Sequence, residues 1–224
     1  MRLSIIVPML NEAEQLPELF AHLLPYQQAG CEIIFVDGGS NDGSATLPEM
    51  AGFIALCTAR GRAKQMNAGA SQASGDVLLF LHADTRLPQN ATGHIEQTLI
   101  NNKYCWGRFD VCIIGRFIML RVVSRLMNWR SRLTGIATGD QAIFVRRAVF
   151  EHLQGFPDQP LMEDVELSKR LLVFSRPACI AHCVTTSGRR WEVGGVWRTI
   201  LLMWRLRWAY WRGTDAGKLA RLYR

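Results

Sequence analysis

The feature that most constrains the fold is the regular alternation of short apolar runs with segments of helical period over the first hundred residues. The apolar runs have the length and continuity of strands buried on both faces. Such alternation indicates a parallel sheet covered by helices on both sides. The sequence therefore predicts a doubly wound α/β fold. Strands are expected at 3–7, 33–36, 53–57 and 77–81, with helices between them at 12–28, 43–50 and 62–73.

Beyond residue 102 the alternation becomes less regular. No internal repeat or low-complexity linker divides the chain, so we expect a single domain over residues 1–192, in two halves at 1–101 and 102–192. An amphipathic helical extension rich in tryptophan and arginine is expected to follow at 193–224. The other elements predicted here are helices at 115–133, 164–174 and 193–213 and strands at 142–145 and 178–184.

The net charge indicates which classes of molecule the chain binds, and the cysteines indicate its cellular compartment. The formal net charge of +7 favours anionic partners such as nucleotides, nucleic acid or an acidic membrane surface. Six scattered cysteines and a start that runs straight into a strand pattern favour a cytoplasmic protein with reduced thiols. Cys179 and Cys183 flank His182, but no second ligand pair stands at zinc-finger spacing, which favours ordinary strand residues over a zinc site.

Polar residues follow the predicted strands at their carboxyl ends, the edge at which open parallel sheets bind ligands. VDGGSNDGS at 36–44 supplies a carboxylate and a sharp turn, and ARGRAK at 59–64 supplies three cations suited to phosphate. HAD at 82–84 supplies a carboxylate for a hard divalent cation. We expect Asp37 and Asp84 to project from adjacent strands into a cleft that admits a nucleoside diphosphate. Each motif alone also fits a turn, a solvated helix face or a helix cap.

Together these motifs resemble those of family 2 glycosyltransferases, which have the GT-A fold. The resemblance is closest to a bacterial subgroup described by its association with radical SAM proteins. It implies transfer of a sugar from a nucleotide-diphosphate sugar to an acceptor hydroxyl, with inversion. The matching segments are SIIVPMLNE at 4–12, VDGGSNDGS at 36–44, RGRAKQMNAGA at 60–70, GDVLLFLHADTRLP at 75–88, TGDQAIFVRR at 138–147, MEDVELSKRL at 162–171 and SGRRW at 187–191.

The resemblance also implies that residues 1–101 bind the nucleotide and residues 102–192 the acceptor. Asp84 is expected to hold a divalent metal, Mg²⁺ or Mn²⁺, although the DXD motif here begins with His82 and so lacks one anionic ligand. The nucleotide sugar is expected to contact Pro8, Asn11, Glu12, Asp37, Gly38, Arg62, Lys64, Asp84 and Arg190.

The family's ED motif makes Asp164 the candidate general base, with Glu163 beside it. Acids at a helix start also stabilise a helix without any catalytic role, by ~0.3–1 kcal/mol, so a structural role competes with the catalytic one. Asp140, Gln141 and Trp191 are expected on the acceptor side, where Asp140 either contacts a hydroxyl or caps a turn.

Two segments combine arginines with an apolar helical face. An arginine at the bilayer centre costs about 2.5–3.5 kcal/mol, so helices of this composition are expected to lie in a membrane interface rather than to span it. They predict a peripheral platform on the inner face of the membrane, near a lipid-linked acceptor, with a homo-oligomer contact or plain packing as alternatives. The two faces are Trp197, Leu201, Trp204, Trp208 and Trp211, and Phe117, Leu120, Val123, Leu126 and Met127.

Two other functions compete with sugar transfer. A nucleotidyltransferase or sugar-phosphate enzyme on a similar sheet typically has a longer glycine-rich, basic signature after the first strand, where this chain has PMLNE. A non-catalytic basic protein that binds membranes or nucleic acid would leave Asp37, Asp84 and Asp164 without a role. The sequence therefore favours a glycosyltransferase that has no nucleic-acid partner.

Overall fold

The computed structural model describes residues 1–223, which form one mixed sheet with helices on both faces. The strands are β1 (Leu3–Met9), β2 (Glu32–Asp37), β3 (Ile54–Cys57), β4 (Val77–Phe80), β5 (Thr85–Arg86), β6 (Trp106–Ile114), β7 (Phe144–Arg146) and β8 (Ala178–Ser187). Their order in the sheet is β3-β2-β1-β4-β7-β6-β8-β5. The helices are α1 (Leu16–Gln28), α2 (Leu47–Met50), α3 (Arg62–Gln72), α4 (Ala91–Leu99), α5 (Met119–Thr134), α6 (Arg147–His152), α7 (Glu163–Leu171), α8 (Arg189–Gly194), α9 (Val196–Trp211) and α10 (Ala216–Tyr223).

Two apolar cores lie on opposite faces of the sheet, as the alternation of side chains along a strand requires. In β1, Ile5 and Val7 pack into the core that also contains Leu19 of α1. Ile6 points to the other face and packs into the core that contains Met66 of α3. All seven residues of β1 are buried. The doubly wound arrangement predicted from the sequence is therefore confirmed.

The parallel part of the sheet consists of β3, β2, β1 and β4, in which β1 pairs with β2 on one side and β4 on the other. The expectation that Asp37 and Asp84 follow adjacent strands is therefore wrong, because β1 lies between β2 and β4. The helix expected at 43–50 is reduced to Leu47–Met50. The Asp42 carboxylate accepts hydrogen bonds from the amides of Ala13 and Ser44. These bonds hold the residues before Leu47 in a turn, so the helix begins later than expected.

The nine-residue strand β6 was missed in the sequence because charged residues interrupt its apolar run. Arg108 is fully buried, and its guanidinium donates to the Asp110 carboxylate, Ser131 Oγ and the Asn128 carbonyl. β6 pairs antiparallel with β7 and parallel with β8, while β7 also pairs antiparallel with β4. The second half of the chain therefore extends the first sheet instead of forming its own.

The helix expected at 193–213 is divided into α8 and α9 at Gly195, which has a left-handed φ of +78°. Leu206 of α9 and Leu219 of α10 pack against Met162, next to the start of α7, in a third apolar cluster. The last two helices therefore pack against the start of α7, in the second half of the chain. Within the described chain, no helix has both the length and the apolar character needed to cross a bilayer.

Candidate functional site

Two loops at the carboxyl edge of β1 and β2 are joined by side-chain hydrogen bonds. Asn11, in a left-handed conformation with φ 55°, donates its amide to Ser40 Oγ at 2.8 Å and accepts from the Asn41 amide at 3.0 Å. The Asp37 carboxylate, 2% exposed, accepts from the Gly39 and Ser40 amides at 2.8 and 2.9 Å. Asp37 and Asn11 thus shape one wall of the predicted nucleotide site, and Asp37 directs much of its hydrogen-bonding capacity into the turn.

Gln65 connects the strands beneath these two loops, a role that the sequence did not indicate. Its Nε2 donates to the carbonyls of Met9 and Val36, at 2.7 and 2.8 Å, and so joins β1 to β2 at their ends. A Cβ at Gly38 would lie 3.0 Å from the Gln65 amide, which explains why a glycine suits that position. Pro8 is buried in β1, where it stands opposite Val36 of β2.

Asp84 and Glu12 each supply a carboxylate beyond the ends of β4 and β1. Asp84 Oδ1 accepts from Thr85 Oγ1 at 3.2 Å and from Thr186 Oγ1 at 3.4 Å. Glu12 Oε2 is buried without a hydrogen-bond partner in the described chain and lies 3.7 Å from Arg189 Nη2. Desolvation raises the pKa of Glu12, and the charges of Asp84 and Asp42 raise it further against the opposing effect of Arg189.

This pair of acids fits a divalent cation that is completed by substrate. Oxygen ligands suit Mg²⁺ and Mn²⁺, and such ions commonly take part of their shell from substrate phosphates. Residues 1–223 contain no group of three or more histidine, cysteine, aspartate or glutamate side chains arranged to hold a metal by themselves. The unpartnered Glu12 oxygen, together with the charge of Asp84 that acts on it, is consistent with a site that needs a diphosphate to bind its metal well.

His82, two residues before Asp84, contacts the predicted acceptor half. Its Nδ1 lies 3.2 Å from Asp140 Oδ1, within a 3₁₀ turn at Gly139–Gln141. A Cβ at Gly139 would overlap the His82 ring, so the two halves of the chain meet at this glycine with no room for a side chain. Gln141 is completely buried; its side chain accepts from the Thr138 amide and contacts Asn128, so it shapes the turn that presents Asp140.

Glu163 and Asp164 stand at the start of α7 and face the same turn. Asp164 Oδ2 accepts from the Gly139 amide at 2.8 Å, and its Oδ1 accepts from the Val165 amide at 2.7 Å. Glu163 is 5% exposed and lies 3.9 Å from Arg62 Nη1. Desolvation, followed by the charge of Asp164, raises the pKa of Glu163 against the opposing effect of Arg62. Asp164 is the more accessible acid and remains aimed at the turn.

The other predicted residues are less tightly gathered. Lys64 Nζ lies 3.8 Å from the exposed carboxylate of Asp158. The Arg190 guanidinium stacks 3.8 Å from the ring centre of Tyr223, in α10, and Trp191 is half-buried against the main apolar core. Burial raises the pKa of Tyr223, on which Arg190, Arg62, Asp140 and Asp164 also act. Tyr223 is therefore near enough to the candidate catalytic groups to feel their charges, a position that no sequence pattern indicated.

Residues 4–153 match the model of the family described as Glycosyl transferase family 2. The chain belongs to this family. An undecaprenyl-phosphate 4-deoxy-4-formamido-L-arabinose transferase of Pseudomonas fluorescens (strain Pf0-1) is 38% identical over 164 residues, covering 64% of this chain and 45% of the relative. The probable glycosyltransferase YdaM of Bacillus subtilis (strain 168) is 26% identical over 196 residues, covering 76% of this chain and 46% of YdaM. The chain thus spans about half the length of these curated relatives.

Solved structures show the same fold. S. aureus TarS 1–349 in complex with UDP-GlcNAc aligns with a TM-score of 0.65 at 18% identity, over 84% of this chain and 58% of that one. The mannosyltransferase PcManGT from Pyrobaculum calidifontis, in complex with GDP-Man and Mn²⁺, aligns with a TM-score of 0.62 at 19% identity, over 82% of this chain and 56% of that one. This family 2 chain therefore has the GT-A fold.

The amphipathic helices of this family 2 chain expose much of their apolar surface. The predicted face of α9 is open to solvent, with side chains 59–78% exposed; we call it the aromatic face, Trp197, Leu201, Trp204, Trp208 and Trp211. The prediction that the apolar face of α5 is a membrane platform is wrong in part. Leu120 and Val123 are buried against the sheet, and Met127 is half-buried. The apolar residues that α5 and the residues before it expose are Phe117, Ile118, Val122, Leu126, Trp129 and Leu133.

Proposed function

We propose that this chain transfers a sugar from a nucleotide-diphosphate sugar to an acceptor hydroxyl, with inversion at the sugar carbon. The observation that carries the proposal is a continuous set of contacts between the two predicted halves of the site. His82, two residues before Asp84, contacts Asp140 at 3.2 Å, and the neighbouring Gly139 amide donates to Asp164 at 2.8 Å. These contacts support an arrangement in which Asp84, as the proposed metal-binding acid, and Asp164, as the proposed base, would act on one substrate from two sides, as sugar transfer requires.

On the donor side, the proposal assigns the nucleotide to the wall formed by Asn11, Asp37 and Gly38. Asp84, assisted by Glu12, would hold a Mg²⁺ or Mn²⁺ ion, which supplies positive charge for the leaving diphosphate when it is bound. Arg189 lies beside Glu12, and Arg190 follows it in α8, so the chain also places its own cations on this side. Both would favour a departing anion.

On the acceptor side, Asp164 would take the proton of the attacking hydroxyl. The acceptor oxygen forms a bond to the anomeric carbon, the bond from that carbon to the diphosphate breaks with its electrons, and the proton passes to the Asp164 carboxylate. The hydrogen bonds that Asp164 accepts from two backbone amides hold its carboxylate in place. Each carboxylate oxygen keeps a further lone pair for the proton. Asp140 and Trp191 would contact the acceptor, and Gln141 would act through the turn it shapes.

The acceptor that this surface supports best is lipid-linked, on the inner face of a membrane. The aromatic face is exposed, and Arg198 and Arg205 lie exposed on the same helix. Aromatic rings interleaved with arginines suit the interface of an anionic bilayer. Relatives named as undecaprenyl-phosphate transferases are in keeping with this proposal.

The experiment that tests sugar transfer is a screen of nucleotide sugars for donor hydrolysis and transfer, with the protein compared with Asp84→Asn, Asp164→Asn and Asp76→Asn. Asp76 is an exposed acid just before β4, at the opposite end of that strand from Asp84, and serves as the matched control. We expect Asp164→Asn to lower turnover about 10²–10⁴-fold while nucleotide binding remains. Asp84→Asn should abolish the additional thermal stabilisation that Mn²⁺ gives with a nucleoside diphosphate. Full turnover by Asp164→Asn would refute the assignment of the base.

A further inference from the structure

The Arg190 guanidinium of α8 lies over the ring of Tyr223, near the end of α10. Its Cζ is 3.8 Å from the ring centre, a separation at which two planar groups are in face-to-face contact. A cation over the face of an aromatic ring is attracted by the negative charge of that face. The Arg190 side chain is exposed and forms no ion pair or hydrogen bond with any residue from 1 to 223. One face of the guanidinium is therefore occupied, while its edge is open.

A guanidinium group stacked in this way keeps its hydrogen-bond donors free. The N–H bonds of arginine lie in the guanidinium plane and bind an oxyanion through two parallel hydrogen bonds at the edge. A ring on one face does not obstruct that edge, and it restricts the orientations that the long side chain can adopt. An oxyanion that binds there meets donors that are already oriented, so less conformational entropy is lost on binding.

The packing of α10 holds the Tyr223 ring in place. Leu219 is 1% exposed and lies in an apolar cluster with Met162 and Leu206. The half-buried Tyr223 packs against the same cluster and follows Leu219 by four residues, so both side chains lie on one side of the helix. Met162 directly precedes Glu163, the first residue of α7. The ring is therefore fixed to the part of the chain that carries the candidate acids.

Arg190 stands on the donor side of the candidate site. The preceding residue, Arg189, has its Nη2 3.7 Å from Glu12 Oε2, and Glu12 follows β1 at the carboxyl edge of the sheet. The Gly188 amide, one residue earlier, donates to the Ile114 carbonyl at the end of β6. These two contacts hold the start of α8 beside the loop that bears Glu12. The oxyanion that sugar transfer brings to this edge is the diphosphate of the donor.

We infer that Tyr223 is a positioning residue, whose ring holds the Arg190 guanidinium with its N–H edge toward the leaving diphosphate of the donor. This inference rests on the proposed function, because sugar transfer supplies the diphosphate. Tyr223 acts through the cation that it orients and not on the reacting atoms. The last helix of the chain thus completes the donor side, although it is the element farthest along the chain from β1.

The test measures diphosphate binding by titration calorimetry in the absence of acceptor, with UDP, GDP and inorganic pyrophosphate as probes, each with Mn²⁺. We expect Tyr223→Leu, which keeps an apolar side chain against the cluster, to weaken binding about five- to tenfold because the cation–π contact is lost. Tyr223→Phe keeps a ring and should stay within about twofold of the parent. Leu222→Ala removes an exposed apolar residue from the same helix; it is the matched control and should also stay within about twofold.

The double variant Tyr223→Leu/Arg190→Gln separates positioning from packing. Arg190→Gln alone should weaken diphosphate binding at least about tenfold, and the double variant should bind no more weakly, because Tyr223 acts only through that guanidinium. Additive losses would overturn the inference, and so would full binding by Tyr223→Leu, weak binding by Tyr223→Phe or no binding by the parent. The expected binding pattern in a protein that transfers no sugar would refute the proposed function but support the positioning role.

Discussion

His82 Nδ1 lies 3.2 Å from Asp140 Oδ1, and this contact joins the end of β4 to the 3₁₀ turn before β7. Desolvation opposes the charge on Asp140, but the hydrogen bond and charge of His82, with Arg62 and Arg207, outweigh it and lower the pKa of Asp140. His82, at the first position of the predicted DXD-like motif, thus favours the ionised form of Asp140 in the predicted acceptor half. The two halves of the candidate site are electrostatically connected through it.

The first prediction concerns this contact. His82→Ala should leave Asp140 with a missing partner, and a hydrogen bond to a charged group contributes about 1.5–3 kcal/mol. We expect the melting temperature to fall by roughly 2–4 °C per kcal/mol lost. The Michaelis constant for the acceptor should rise more than that for the donor. His82→Asn keeps a donor in place of Nδ1 and should recover much of both losses. Equal losses in the two variants would argue against the hydrogen bond as their cause.

The second prediction concerns Gly139. A methyl group at this position would overlap the His82 ring, and overpacking of this kind costs about 1–3 kcal/mol. Gly139→Ala should therefore displace the turn, lower thermal stability and reduce transfer. Gly217→Ala is the matched control, because it lies in α10, where a Cβ would meet only the flexible Asp215 side chain at 3.0 Å. The control should be neutral or stabilising, since alanine favours a helix. Full activity in Gly139→Ala would show that the turn accommodates the methyl group.

The third prediction concerns pH. Desolvation and Asp164 raise the pKa of Glu163 from its ordinary value of 4.5, so the folded chain retains a proton that the unfolded chain has released. The free energy of unfolding should therefore fall as pH rises from 4.5 through the raised pKa, and this contribution should be constant above it.

Glu163→Gln removes this dependence. It should raise the melting temperature at pH ~7.5 by about 2–4 °C for each kcal/mol recovered and give little change near pH ~4, where Glu163 is protonated in both states. Glu166→Gln, on the same helix, is the control; it removes the charge paired with Lys169 and Arg170 but keeps an amide oxygen that can accept from the Tyr210 hydroxyl, so it should have a small effect at both pH values. A lower melting temperature for Glu163→Gln at neutral pH would mean that the pair with Arg62 outweighs desolvation.

The fourth prediction concerns the aromatic face. Trp204→Ser and Trp208→Ser should each weaken binding to anionic liposomes about tenfold, because burying a large apolar side chain contributes about 1.5–3 kcal/mol. Both side chains are mainly exposed, so thermal stability should change little. Met50→Ser removes an exposed apolar residue of α2 and is the control. If the tryptophan variants instead change the sedimentation coefficient and leave liposome binding intact, the aromatic face is a homo-oligomer contact.

The first half of the fold was predictable because each strand from β1 to β4 is an uninterrupted apolar run followed by a polar turn. Because Asp37 ends β2 and Asp84 follows β4, and these strands run in the same direction, the two residues were expected at the same edge of the sheet. β6 was not predictable, because the buried Arg108 resembles a surface charge until Asp110 and Ser131 are seen to satisfy it.

The prediction of an acceptor side rests on its motifs alone. Asp164 and Asp140 were recognisable from family resemblance, but the contact of Asp140 with His82 depends on β7 joining β4, a pairing that no local pattern encodes. Tyr223 lies near these groups because α9 and α10 pack against the start of α7. Their periodicity indicated amphipathic helices and could not indicate which polar residues would turn inward.

The pairing of β7 with both β4 and β6 has a mechanical consequence. Leu79 stands opposite Phe144, and Phe144 stands opposite Gly107, so the segments that carry His82 and the acceptor turn belong to one hydrogen-bonded sheet. The spacing between the donor edge and the acceptor turn is thus set by backbone geometry instead of by a hinge. Changes confined to the surrounding loops could therefore alter which sugar or acceptor is chosen while the distance over which the glycosyl group travels stays the same.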